Sequence, residues 1–199
     1  MEFLKNIVDG AFSNPKLFNF ARNILEDNFV VPKKIITKEL DKNKKTLDIG
    51  CGTGQFSTLF NPDHYHGIDI SKKYITHAKD NLKGSFSVMD AQKIKFPDNT
   101  FDNILVVGLF HHLNDKIVDN ILKEMKRVAK KKARILIMED IPTKSAINLV
   151  GKVVHYFDGG SDIRKTANYK KLLVKHFSII KGFETISGVC DYCIFIMEK

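Results

Sequence analysis

The stretch Leu47-Asp48-Ile49-Gly50-Cys51-Gly52-Thr53-Gly54-Gln55 sets three alternating glycines directly behind a short apolar run. Glycines there permit a tight turn and let a ligand press against bare backbone. A turn leaving a buried strand for a helix offers free N–H donors, and in a parallel sheet it lies at the ligand-binding edge. A dinucleotide fingerprint reads G-x-G-x-x-G. Here Gly54 arrives one residue early and Gln55 fills the dinucleotide slot. Asp48 also precedes the first glycine. A carboxylate there repels a pyrophosphate but suits an ammonium group.

Two more acids follow at the ends of apolar runs. Asp69, in Gly67-Ile68-Asp69-Ile70-Ser71, stands 19 residues after Gly50. That is near the spacing of about 20 at which an acid reaches a ribose diol. Asp90, in Met89-Asp90-Ala91, suits the exocyclic amine of an adenine. Together the three carboxylates describe a nucleoside with a cationic amino-acid arm. His111 and His112 follow the strongest strand signal, where an imidazole with a pKa near 6.5 can take a proton. The same pair also reads as a packing element. His155, Tyr156 and Arg164 read either as a polar substrate pocket or as a helix end and surface loop.

The elements that must position these groups alternate in type. Thr46–Ile49, Tyr65–Ile70, Ser85–Met89, Phe101–Val107 and Ala133–Glu139 read as strands. Helices are expected over 55–60, over 71–82 with Ser71 as cap, and from about Asn114 to Ala129. Such alternation calls for a parallel sheet covered on both faces. After a helical region over 143–156 and 167–175, two strands over 177–186 and 189–198 flank Ser187-Gly188, which joins antiparallel neighbours. The expected fold is α/β: a Rossmann-like, mostly parallel seven-stranded sheet with a reversed strand near the C-terminus and helices on both faces. Before it, Gly10 can stop a first helix, Ser13-Asn14-Pro15 starts another, and Pro32 opens a third.

Composition narrows the class. The chain has 199 residues, 43% hydrophobic and 28% charged, which suits one domain with a sizeable core. Its longest nearly unbroken apolar run, Ile104 to Phe110, is far short of the roughly 20 residues a membrane helix needs. The N-terminus lacks a signal-peptide layout, so a cytoplasmic protein is expected. Three cysteines suit a reducing compartment, and Cys190-x-x-Cys193 reads as strand packing, without a second ligand pair for a metal. The net charge of +9 is mostly lysine and reads as a solvated surface rather than a nucleic-acid footprint. Its densest run, Lys123 to Arg134, is expected to span a helix end and a loop.

On these motifs the chain resembles class I S-adenosylmethionine-dependent methyltransferases, particularly small type-11-like domains. Leu47–Gln55 looks like the family's first motif, Gly67–Ser71 the second, and Met89-Asp90-Ala91 the adenine-contacting one. Phe96-Pro97-Asp98-Asn99-Thr100-Phe101-Asp102 resembles the approach to the fourth strand, Leu109-Phe110-His111-His112-Leu113 its continuation, and Leu122–Val128 the next helix. The resemblance covers roughly 45–139. It departs at Lys130-Lys131-Lys132-Ala133, where the family has a proline-glycine turn.

The resemblance implies S-adenosylmethionine as cofactor and S-adenosylhomocysteine as product. Gly50, Cys51 and Gly52, with Gly54 in the same loop, should lie against the methionyl arm and Asp48 near its ammonium. Asp69 should take the ribose hydroxyls, Ile70 the adenine face, Asp90 and Ala91 the adenine amine, and Gly108 and Phe110 the sulfonium side. One methyltransferase domain over 1–199 is expected. Residues 1–42 would form a helical lid, bearing Phe12, Phe18, Phe20 and Arg22, and 142–176 a variable insertion. The expected partner is a small-molecule acceptor, with O- or N-methylation favoured over C-methylation. The alternatives are an RNA or protein methyltransferase, supported only by the basic charge, and a non-catalytic cofactor-binding subunit. Oligomeric state is left open.

Overall fold

The computed structural model of the chain describes residues 14–144 and 162–199. Helix α1 (Pro15–Leu25) starts as its sequence predicts, with the Asn14 side chain accepting from the N–H groups of Lys16 and Leu17. Asp27, Asn28 and Phe29 then take φ values of 51°, 53° and 57°, a left-handed turn rare for residues with side chains. Helix α2 (Val30–Glu39) follows, with Pro32 in its first turn rather than opening it.

Seven strands build one sheet: β1 (Thr46–Ile49), β2 (Tyr65–Asp69), β3 (Ser85–Val88), β4 (Phe101–Val107), β5 (Ala129–Asp140), β6 (Ser178–Ser187) and β7 (Cys190–Glu198). Their order is β3-β2-β1-β4-β5-β7-β6. Strands β1 to β5 pair in parallel, whereas β7 runs antiparallel to both β5 and β6. The mostly parallel sheet with one reversed strand is therefore as expected.

Helices α3 (Lys72–Asn81), α4 (Asp115–Val128) and α5 (Thr166–Leu173) join α2 in covering it. Ser71 caps α3 and Asn114 caps α4, each through its side-chain oxygen. The pleat of period two sorts side chains between two cores. On one face Ile135, Ile137, Phe195 and Met197 meet Val118, Ile121, Leu122 and Met125 of α4 and Tyr169 of α5. On the other, Leu136, Met138, Ile194 and Ile196 lie with Ile36 of α2 and Ile75 of α3. Cys193 falls in the first core and Cys190 in the second, on opposite faces as strand residues three apart must be.

Two local expectations are corrected. No α-helix follows the glycine loop over 55–60; instead a 3-10 turn spans Ser57–Leu59. Pro62 explains this, because it holds Asn61 extended (φ −64°, ψ 122°) and has no N–H to continue a helix. Nor is the lysine run a loop. Strand β5 begins at Ala129, directly after α4, and a register shift between Phe101 and Asn103 absorbs the extra residues, with Lys132 at φ 67°. Many cations of that run are tied to acids: Lys123 to Asp119 (2.7 Å), Arg127 to Asp98 (2.7 Å) and Glu124 (2.8 Å), Lys130 to Asp102 (2.9 Å), and Arg134 to Glu39 (3.5 Å).

The expected stop at Gly10, and the helical region beyond Lys144 up to 156, lie outside the described residues. Among the described residues no helix is long and apolar enough to cross a membrane.

Candidate functional site

Because β1 to β5 run the same way, the glycine loop, Asp69, Asp90, Gly108 and Glu139 all fall on one edge of the sheet. The reversed β7 brings the β6–β7 turn to that edge too, since Tyr192 pairs with Asp140.

In the loop, Gly50, Gly52 and Gly54 adopt φ values of 73°, 54° and 82°, which glycine reaches without strain. A Cβ on Gly54 would lie 2.7 Å from Leu82 and 2.9 Å from Phe86, and one on Gly50 3.1 Å from Leu109. A Cβ on Gly52 would meet nothing within 4 Å among the described residues, so this side of the loop is open. Four of the loop N–H groups are not free, contrary to expectation. Gly50 and Cys51 donate to Ile68 O (2.8 and 3.0 Å), Gly52 to Asp69 Oδ2 (2.9 Å), and Gly54 to Cys51 O (2.9 Å). With no α-helix starting here, the loop lacks the helix N-terminus that would add to an anion cradle. The Cys51 side chain turns inward against Gly67, where a Cβ would lie 2.8 Å from its sulfur. Burial pushes its thiol pKa up, with Asp48 and Asp69 adding to the effect.

Asp48 is buried and accepts from the Tyr65 hydroxyl at 2.6 Å. Burial raises its pKa to about 7; the Tyr65 hydrogen bond opposes this and the charge of Asp69 reinforces it. Asp69 accepts from Gly52 N and, through Oδ1, from Ser71 N (2.7 Å). Its pKa is raised by burial, against the hydrogen bonds from Ser71, Gly52 and Ile70. Each carboxylate oxygen has two lone pairs, so Asp69 can serve a ligand donor as well as the loop. Beside it Ile70 is 76% exposed. Asp90 is exposed and accepts from Gln92 N (2.8 Å), while Ala91 packs half-buried on the first core.

Gly108 ends β4 in the left-handed region, φ 65°, with its N–H on Met138 O (2.9 Å). A Cβ there would lie 3.5 Å from His111 Cε1 and 3.8 Å from Arg22 Nη2. Phe110, which follows this glycine, has its ring fully buried in the first core.

The reason is Glu139, itself fully buried. Its Oε1 accepts from the N–H groups of Leu109 (3.0 Å) and Phe110 (2.8 Å). Its Oε2 accepts from His111 N (3.2 Å) and lies 3.0 Å from His111 Nδ1. His111 is fully buried, with Nε2 3.8 Å from Asp140 Oδ2. His112 is exposed and its ring lies 4.0 Å from that of His111.

Arg164, expected in a substrate pocket, is 8% exposed and borders a cavity with Asp115, Asp162, Asn168 and Lys171. Its nitrogens donate to Phe110 O (2.8 Å), Leu113 O (2.6 Å), Asp162 O (2.9 Å) and Asp115 (2.9 Å). It is an anchor for the turn after β4, because buried carbonyls need donors. His155 and Tyr156 lie outside the described residues.

Helix α1 crosses this edge. Thr53 donates to Asn19 and Gln55 to Asn23, and Arg22 reaches Gly108. Phe20, by contrast, is 63% exposed on the outer side; Phe12 lies outside the described residues. Among the described residues no group of three His, Cys, Asp or Glu is placed to hold a metal.

Sequence reasoning passed over Glu139, Asn19 and Asn23. For Glu139 a signal existed: an acid closing the apolar run Ile135–Met138, where burial demands partners.

Known proteins resemble this chain. A methyltransferase-domain family model matches residues 46–132. A demethylmenaquinone methyltransferase of Thermotoga maritima is 33% identical over 131 residues, 63% of this chain and 56% of that protein. A ubiquinone/menaquinone biosynthesis C-methyltransferase UbiE of Saccharophagus degradans is 30% identical over 173 residues, 78% of this chain and 68% of that protein. The chain therefore spans between about half and two thirds of these relatives. In fold it is similar to a magnesium protoporphyrin IX methyltransferase of Synechocystis, solved with bound S-adenosylhomocysteine. That match has a TM-score of 0.71 at 17% identity, covering 98% of this chain and 99% of the other.

Proposed function

The chain belongs to the class I S-adenosylmethionine-dependent methyltransferase family, and on that premise we propose that it transfers a methyl group to a small organic acceptor. The observation that carries the reading is the open wall at Gly52 beside Asp69. The N–H groups of Gly50, Cys51 and Gly52 are spent on Ile68 and Asp69, which counts against a pyrophosphate there. A nucleoside with an uncharged linkage fits such a wall. Asp69 would hold its ribose, Ile70 one adenine face, Asp90 and Ala91 the adenine amine, and Asp48 the ammonium side. Helix α1 would act as the lid.

Bound there, the cofactor supplies an electrophilic methyl on a sulfonium. The protein's part is alignment and exclusion of water. Of the two histidines, His111 fits the role of base. Glu139 accepts at Nδ1 and so orients the ring, whose Cε1 lies 3.5 Å from where a Cβ on Gly108 would stand. His112 is the outer neighbour of that ring. The acceptor we propose is a hydroxylated aromatic or enol. Losing its O–H proton enriches both the oxygen and a ring carbon. The names of the quinone-pathway relatives favour carbon, displacing the preference for oxygen or nitrogen.

The test has two stages. Calorimetry should show S-adenosylhomocysteine binding and no binding of a nicotinamide dinucleotide; the reverse would sink the proposal. A screen with methyl-labelled cofactor and hydroxylated aromatics then locates the methyl by NMR. Asp69→Ala is expected to weaken cofactor binding by about 1–3 kcal/mol, as a charge-assisted acceptor is lost. Unchanged affinity would remove Asp69 from the ribose.

A further inference from the structure

We propose that the outer face of α1 is a membrane-docking surface that seats the crevice edge of the sheet on an anionic lipid bilayer. Positions three and four residues apart share one face of a helix. On α1 one such face is polar, with Asn19, Arg22 and Asn23, and it is turned toward the protein. Asn19 and Asn23 accept from Thr53 and Gln55 of the glycine-loop segment, while Arg22 reaches Gly108 and pairs with Glu26. The opposite face is apolar, with Leu17, Phe20 and Ile24. It is turned outward, leaving these residues 45%, 63% and 65% exposed. A surface helix ordinarily does the reverse, burying its apolar stripe and offering the polar one to water. A run of exposed apolar side chains on one face marks a surface with a partner.

Two observations favour a bilayer over a second copy of the chain. The first is size. Val30 and Ile186 extend the apolar surface past the helix end, where Ser187 Oγ donates to Glu26 O (2.9 Å). Five partly exposed side chains still fall well short of the roughly 800 Å² per partner that a stable protein interface takes. An interfacial helix needs only an apolar stripe with cations beside it. The second is charge. Helix α1 contains Lys16 and Arg22 and no acid. Exposed Lys72 and Lys73 begin α3, which touches α1 and follows β2 at the same edge. Asp27 and Asp90 are exposed acids at that edge, but the chain as a whole carries +9. Anionic headgroups attract such a surface.

The test is co-sedimentation with vesicles of phosphatidylcholine and phosphatidylglycerol in equal parts. Wild-type protein should bind them, and should bind phosphatidylcholine alone about 10-fold more weakly. Phe20→Gln/Ile24→Gln should keep its fold by circular dichroism and lose about 30-fold in binding, the scale of two partly buried apolar side chains. The chain has no tryptophan, so Phe20→Trp adds a single reporter. Its emission should move to the blue on the mixed vesicles and be quenched by brominated lipid. Wild-type protein that stays in solution with the mixed vesicles overturns the inference, as does a folded double variant that binds like wild type. Phe20→Trp emission that vesicles leave unchanged overturns it whether or not the double variant folds. A wild-type dimer in sedimentation that the double variant dissolves assigns the face to a second copy and overturns it too. The samples hold neither cofactor nor acceptor, so the outcome is separate from that of the proposed reaction.

Discussion

Replacing Glu139 with Ala is expected to lower the free energy of unfolding by about 4 kcal/mol or more, the range for breaking a buried charged network. Three consecutive backbone N–H groups and the His111 ring converge on this one carboxylate. Its removal strands several buried donors at once, and each costs about 1–3 kcal/mol when left unpaired. Arg164 grips the same turn through Phe110 O and Leu113 O but supplies donors only, so it cannot stand in. Glu139→Gln retains an acceptor oxygen and should fall between the two. Urea unfolding measures this directly. A loss below 1 kcal/mol for the Ala variant would show that the turn is held by packing instead.

The second large effect is on pH. Burial lifts Asp48 from 3.8 to about 7, against the Tyr65 hydrogen bond and with help from Asp69. Between those values the native state keeps the proton and the unfolded chain has lost it. Stability must then fall as pH rises across that interval, by about 1.4 kcal/mol per pH unit in its middle, and flatten above it. Summed over the interval this approaches roughly 4 kcal/mol. Asp48→Asn removes this titration, so its stability should change less steeply between pH 4 and 7. Unfolding curves at four pH values for both proteins provide the comparison, and parallel curves would refute the assignment.

What the residues foretell depends on how far apart the partners stand. The strands from Thr46 to Val107 were legible because each is a short apolar run with turn residues at its ends. The caps at Asn14, Ser71 and Asn114 were legible because capping is local. Errors arose where long-range pairing outweighs local pattern. Lys130 to Lys132 read as loop by charge, yet strand pairing draws them into β5, with Asp102 as the partner of Lys130 from elsewhere. The anchoring role of Arg164 was not legible, because two of the carbonyls it serves, of Phe110 and Leu113, stand some 50 residues away. Among the site residues, the glycines and Asp69 stood out by spacing. Glu139 did not, since its partners appear only once β4 and β5 are in register.

The contact between Val189 and Leu25 has a practical corollary. A single amide near the far end of the chain is bonded to the carbonyl of the last residue of α1. Its hydrogen–deuterium exchange therefore clocks how often that junction opens. One resonance, followed with and without nucleoside, tells whether ligand binding steadies it.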